Sequence, residues 1–106
     1  MTTDIPDGVS IETVWLVEVP YTPEAPDRRP LHRQVHLGRL ATLIRAGTVI
    51  EAGGAQDWSM AVVLMRAATA EEALAIIDED VHTLEGVWHS PTARPFGRVV
   101  VDPPSG

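Results

Sequence analysis

The stretch from Met60 to Met65 constrains the fold more than any other. Met60, Val62 and Leu64 alternate with Ala61, Val63 and Met65, so a strand here is apolar on both faces. Such a strand needs cover on each side. Residues 13–19 behave alike: the run is β-branched and aromatic, it is stopped by Pro20, and neither Trp15, Val17 and Val19 nor Val14, Leu16 and Glu18 form a clean polar set.

Only two segments have helical spacing. Asp27 can cap the first, with Pro30 in its first turn and Gly47 as its stop, and His36, Leu40, Leu43 and Ile44 recur at the interval of a buried stripe. Thr69 followed by Glu72 is a capping box that opens the second, with Ala73, Ile76, Ile77 and Asp80 along one side. Residues 48–52 form a short strand, Gly53-Gly54 a turn, and residues 94–101 a last strand that Pro95 shortens or places at an edge. The order β, α, β, β, α, β predicts an α+β, ferredoxin-like βαββαβ fold, a four-stranded antiparallel sheet with both helices on one face. Right-handed crossovers are expected to set the first and third strands side by side in the middle, running parallel. Two helices cover one face, so the other is expected to pack on a second copy, giving a homodimer with sheets face to face. Residues 1–12 and 102–106 have the proline, glycine and acidic content of loose ends around a single domain at 13–101.

Composition narrows the chemistry. Fifteen acidic residues stand against eight basic ones, for a formal charge of −7, a field that repels phosphate backbones and excludes nucleic acid as an expected partner. All eight basic residues are arginines, so Schiff-base chemistry and lysine-dependent phosphate loops are ruled out. With no cysteine there is no thiolate nucleophile, thiolate zinc site or disulfide, and a reducing cytosol is the natural compartment. No apolar stretch approaches the ~20 residues of a membrane span, so a cytoplasmic protein without a membrane partner is expected.

Against that background two polar interlopers stand out, His36 and Asp80, each at an apolar position of its helix. An imidazole beside a carboxylate is the simplest proton-transfer device available without metal or cofactor, and neither is expected here. If the helices run parallel, the two groups lie about 13 and 16 Å beyond the helix starts, at similar height. Asp78, Glu79 and Asp80 end the second helix with three carboxylates at its negative pole, which calls for a compensating donor, and Asp80 can cap a further turn running to Gly86. Arg33, one turn before His36, can hold a carboxylate, enolate or phenolate, or else form a surface salt bridge. His32 and His36 have the spacing of a helical metal pair but lack the acidic member of an HExxH motif. Glu18 can enter a cavity or reach water at a sheet end, and Trp15, Trp58, Trp88, Tyr21 and Phe96 can line a pocket or fill a core.

Residues 13–99 resemble the YCII-related family of dimeric α+β barrel proteins. The resemblance rests on Tyr21-Thr22-Pro23-Glu24-Ala25-Pro26 after the first strand, on Arg33-Gln34-Val35-His36-Leu37, on Ala46-Gly47 followed by Glu51-Ala52-Gly53, and on Asp80-Val81-His82-Thr83-Leu84-Glu85-Gly86. It departs from the family pattern at Val81 and His82, where proline and phenylalanine are usual, and at Gly54-Ala55. The resemblance implies a ferredoxin-like fold, a sheet-to-sheet dimer and a dyad of His36 and Asp80; a known activity in the family is dehydrochlorination of a hydroxylated aromatic ring. His82 would add a second imidazole beside that dyad.

The expected function is a cofactor-independent lyase or isomerase in which His36 moves a proton on a small cyclic or aromatic substrate, Asp80 orients its ring, and Arg33 and His82 contact the substrate. Two alternatives are a noncatalytic dimer that binds a small ligand or partner protein, and a cofactorless monooxygenase.

Overall fold

The computed structural model describes residues 4–103; residues 1–3 and 104–106, the outermost parts of the two expected loose ends, lie outside the described residues. The chain runs β1 (Val9–Pro20), α1 (Ala25–Arg45), β2 (Val49–Gly54), β3 (Met60–Met65), α2 (Ala70–Asp78), α3 (Val81–Leu84) and β4 (Thr92–Val101). It is an α+β fold whose four strands form one sheet in the order β2-β3-β1-β4, with every neighbouring pair antiparallel. The two central strands therefore do not run parallel as expected. The reason lies in the connections: α1 carries the chain from β1 to β2, one strand position beyond its neighbour, and the tight return from β2 to β3 drops β3 into the gap pointing the other way.

That polarity reverses the helices as well. Along α1, Arg28 donates to the carbonyl of Glu85, His36 meets Asp80, and Arg39 donates to the carbonyl of Ile76. Partner numbers fall as α1 residue numbers rise, so α1 runs opposite to the α2–α3 segment. His36 and Asp80 do lie at one height, but through antiparallel packing and not through equal depth from two parallel starts.

Several boundaries move. β1 begins at Val9, inside the segment expected to be loose, because residues from Val9 onward pair with β4 out to Val101. α1 starts two residues before Asp27, with Glu24 at its N-cap, which puts Pro30 inside the helix instead of its first turn. Gly53 and Gly54 end β2, and the reversal falls at residues 55–59, where Ala55 N–H donates to the carbonyl of Met60. Asp80 is not part of the second helix: α2 ends at Asp78, and a third helix, α3, follows.

The core lies between one sheet face and the helices. Val17 and Val19 of β1, Val63 and Met65 of β3, Val49 of β2, Ala73 and Ile77 of α2, and Val87 and Trp88 after α3 are all buried. Each large apolar side chain so enclosed contributes about 1.5–3 kcal/mol relative to exposure. The capping box holds α2: Thr69 Oγ1 accepts from Glu72 N–H, and the Glu72 carboxylate reaches back to Ala68 N–H. α1 is seated differently, over β2 and α3 at one side. Of its expected stripe only His36 is buried, Leu40 and Leu43 are half-buried and Ile44 is exposed.

The opposite sheet face carries no helix. Leu16 sits across from Leu64, Glu18 from Val62 and Val14 from Phe96, and partners in an antiparallel ladder share a face. Ion pairs frame this apolar middle: Arg94 with Glu18 toward one end, and Arg66 (2.6 Å) and Arg98 (3.0 Å) with Glu12 toward the other. An open trough of about 550 Å³ runs along β2 and β3 between Glu51, Gly53, Met60, Val62 and Leu64. At the sheet margins, β4 carries Pro95, and the ladder of β2 slips register between Val49 and Glu51.

Candidate active site at His36 and Asp80

Asp80 owes its position to the end of α2. After the C-cap at Glu79, Asp80 is extended (φ −70°, ψ 142°), and its side chain caps α3 by accepting from His82 N–H at 2.8 Å. Three successive carboxylates at the negative pole of a helix need a cation. The antiparallel α1 supplies Arg39: Nη1 donates to Asp80 Oδ2 at 3.1 Å, Nη2 donates to the Ile76 carbonyl at 2.8 Å, and the guanidinium stands 3.8 Å from Glu79.

Into this web α1 also delivers His36, whose Nδ1 lies 2.8 Å from Asp80 Oδ1. Only 7 % of His36 and 1 % of Asp80 is exposed. Burial by itself pushes the Asp80 carboxyl upward, but hydrogen bonds from His36, from His82 N–H and from Arg39, together with the His36 charge, outweigh it and hold the group below its ordinary value. An ionised carboxylate only accepts, so the proton in the His36–Asp80 bond sits on Nδ1. In neutral His36 the lone pair is then on Nε2. Among the described residues the enclosed polar side-chain atoms that lack a partner are His82 Nδ1 and Trp88 Nε1; His36 Nε2 is not one of them.

His82 completes the cluster. Its ring stacks on His36 with centroids 3.7 Å apart and planes 18° apart, and Trp88 meets both rings edge to face at 4.9 and 5.2 Å. Burial, and then the His36 charge, push His82 down to about 4 against the pull of Asp80, so it is neutral near pH 7. His36, Asp80 and His82 offer three donor atoms within 4.8 Å of one another. Stacked imidazoles nevertheless direct their lone pairs along nearly parallel planes, whereas a shared ion would have to lie about 2.1 Å out in both. The arrangement suits proton transfer better than chelation.

The structure brings together His36, Asp80 and His82 and leaves Arg33 apart. Arg33 is exposed on the flank of α1 and, among the described residues, forms no ion pair, so the expected surface salt bridge is not made. It lines a second concavity of about 380 Å³ with Tyr21, Arg29, Gly54, Gln56 and Trp58. His36 and Asp80 line neither concavity; the link is Tyr21, whose backbone bridges to Trp88 beside the His36 ring. His32 stands 3.9 Å from Glu85 and is not part of the donor cluster. Glu18 pairs with Arg94 at the sheet surface, and Trp15 is half-buried against the core, its Nε1 donating to the Ala67 carbonyl at 2.9 Å.

Sequence reasoning missed two residues of this region, Arg39 and Arg29. Arg39 was detectable as the cation three residues after His36 on the same helical face, opposite the acidic run at 78–80. Arg29 carries no such signal, because its contact with Trp58 depends on the distant 55–59 turn, and Trp88, named only as a pocket or core aromatic, is brought to the His36 ring by the return after α3. No family model and no curated protein matches the chain.

Proposed function

We propose that the protein is a cofactor-independent lyase or isomerase in which His36 Nε2 takes or returns a proton at carbon on a small cyclic or aromatic substrate. The observation that carries this reading is the 2.8 Å bond between His36 Nδ1 and a carboxylate that is 1 % exposed and held ionised. Asp80 fixes the tautomer and stabilises the imidazolium that forms; Arg39 and His82 N–H hold Asp80 in place. Neutral His82, stacked on the base, adds no competing proton at pH 7. A substrate reaches Nε2 from the Arg33 side of α1 once side chains there part. The order of motifs around Arg33, His36, Asp80 and Gly86 supports a YCII-related, ferredoxin-like protein, as does a strand order in which each crossover skips one position. The bare apolar face between Glu18–Arg94 and Glu12–Arg98 supports a homodimer with sheets face to face.

The test uses exchange at carbon, which needs no leaving group. In D2O, a panel of hydroxylated and keto-substituted rings followed by proton NMR should lose signal at an acidic carbon with the intact protein. His36→Ala and Asp80→Asn should stop that loss while the chain stays folded by circular dichroism. Equal exchange in protein and variants, or none in any of them, rejects the assignment.

The low exposure of His36 favours a second reading, in which the pair only locks α1 to α3 in a noncatalytic binding module. There the same substitutions lower thermal stability and leave ligand binding unchanged.

A further inference from the structure

Five of the eight arginines donate to a carboxylate or a carbonyl: Arg28, Arg39, Arg66, Arg94 and Arg98. Arg45 lies in the last turn of α1, where the helix pole is negative and a cation is stabilised. Arg29 and Arg33 have neither arrangement. They are four residues apart on one flank of α1, so their side chains emerge about 5–6 Å apart and repel each other. In a chain with fifteen acidic residues, no carboxylate of the described residues lies within ion-pair distance of either.

The wall facing them is built with effort. Trp58 adopts φ +65°, a left-handed conformation that a bulky side chain takes at a cost of about 1–3 kcal/mol. It is held by its N–H on the Ala55 carbonyl at 3.0 Å, by the Arg29 guanidinium 4.3 Å above its ring, and by the Tyr21 ring edge-on at 5.4 Å. Gly54 lets Tyr21 lie there, since a Cβ at that position would collide with the phenol oxygen. The result is a cleft lined by Tyr21, by Trp58 with Arg29 stacked on it, and by Arg33, with no carboxylate paired to either guanidinium among the described residues.

We propose that this cleft binds a small aromatic carboxylate, with Arg29 and Arg33 sharing the carboxylate oxygens and the flat ring lying against the wall formed by Tyr21 and Trp58. A guanidinium stacked on an indole keeps its N–H edge free for a bidentate carboxylate, and a volume of about 380 Å³ lies in the range of small-molecule clefts. The net charge of −7 opposes a polyanion, whereas one carboxylate is neutralised locally by the two arginines. Taking this ligand as the substrate of His36 rests on the proton-transfer reading; the binding itself does not.

Benzoate is the probe, titrated while following indole fluorescence and the Trp58 side-chain N–H by NMR. Saturable binding is expected, with inorganic phosphate and cyclohexanecarboxylate each at least about tenfold weaker, a difference of ~1.4 kcal/mol. Arg33→Gln, an exposed substitution that leaves the fold alone, should weaken benzoate about tenfold or more, and Arg29→Gln at least as much. His36→Ala should keep the affinity within about twofold, so that loss of exchange with retained binding speaks to the dyad and not to the cleft. The proposal is overturned if benzoate does not bind, if Arg33→Gln binds it as tightly as the parent, or if phosphate or cyclohexanecarboxylate matches it.

Discussion

The Asp80 web and the Arg29–Arg33 pair draw on the same helix and treat charge in opposite ways. The Asp80 carboxylate is almost wholly enclosed, and each of its oxygens has donors: His36 and His82 N–H on Oδ1, Arg39 on Oδ2. Arg33 is exposed and Arg29 is half-buried against Trp58, and among the described residues neither has a carboxylate partner. A buried charge survives only if its partners come with the fold, whereas a pair of like charges that water still reaches is screened until a ligand arrives. The first region is finished by folding and the second by binding. Substitutions should therefore damage stability in one and affinity in the other.

The largest effect is expected at Asp80. Asp80→Ala strands His36 Nδ1–H, His82 N–H and Arg39 in the interior, and urea denaturation should show a loss of about 3–5 kcal/mol. A loss under 1 kcal/mol would mean that the web is not closed. Next comes acid. His82 titrates near 6.5 when unfolded and at about 4 when folded. Between those values the unfolded chain holds more protons, so stability falls as pH drops from 6.5 to 4, by ~3 kcal/mol in all. The depressed Asp80 carboxyl adds a further loss as pH falls below its unfolded value of 3.8. Denaturation midpoints read across this range should slope steeply in the parent and much less in His82→Phe; parallel slopes would contradict the stacked, neutral ring. Arg39→Met, which removes two bonds to the α2 terminus, should cost about 1.5–3 kcal/mol, visible as a lower melting temperature. Arg33→Gln is expected to be the mildest, a gain of ~0.2–0.5 kcal/mol from relieved repulsion with Arg29. A clear destabilisation there would erase the contrast between the two regions.

The central strand β3 was legible in the sequence because its alternation is local, and so was the capping box, whose bonds span four residues. His36 was legible as a polar residue on an apolar stripe, whereas Asp80 was picked out by the same stripe argument although it lies beyond the end of α2. The direction of the helices was not, since it depends on which strand fills the gap left by a crossover, a choice made by the whole sheet. Asp80 as the cap of α3 was foreshadowed by Gly86, whose φ of +74° closes that turn. The aromatic–arginine cleft was hidden because its parts come from Tyr21, α1 and the 55–59 turn, and only the turn's left-handed Trp58 brings them face to face.

Both outer borders of the sheet are flawed for further growth. Pro95 offers no amide hydrogen along β4, and the slipped register of β2 bends that border away from a flat template. A newcomer finds an interrupted row of rungs on either side, so fibre-like stacking is disfavoured at two places at once. At high concentration the protein should stay free of endless ribbons.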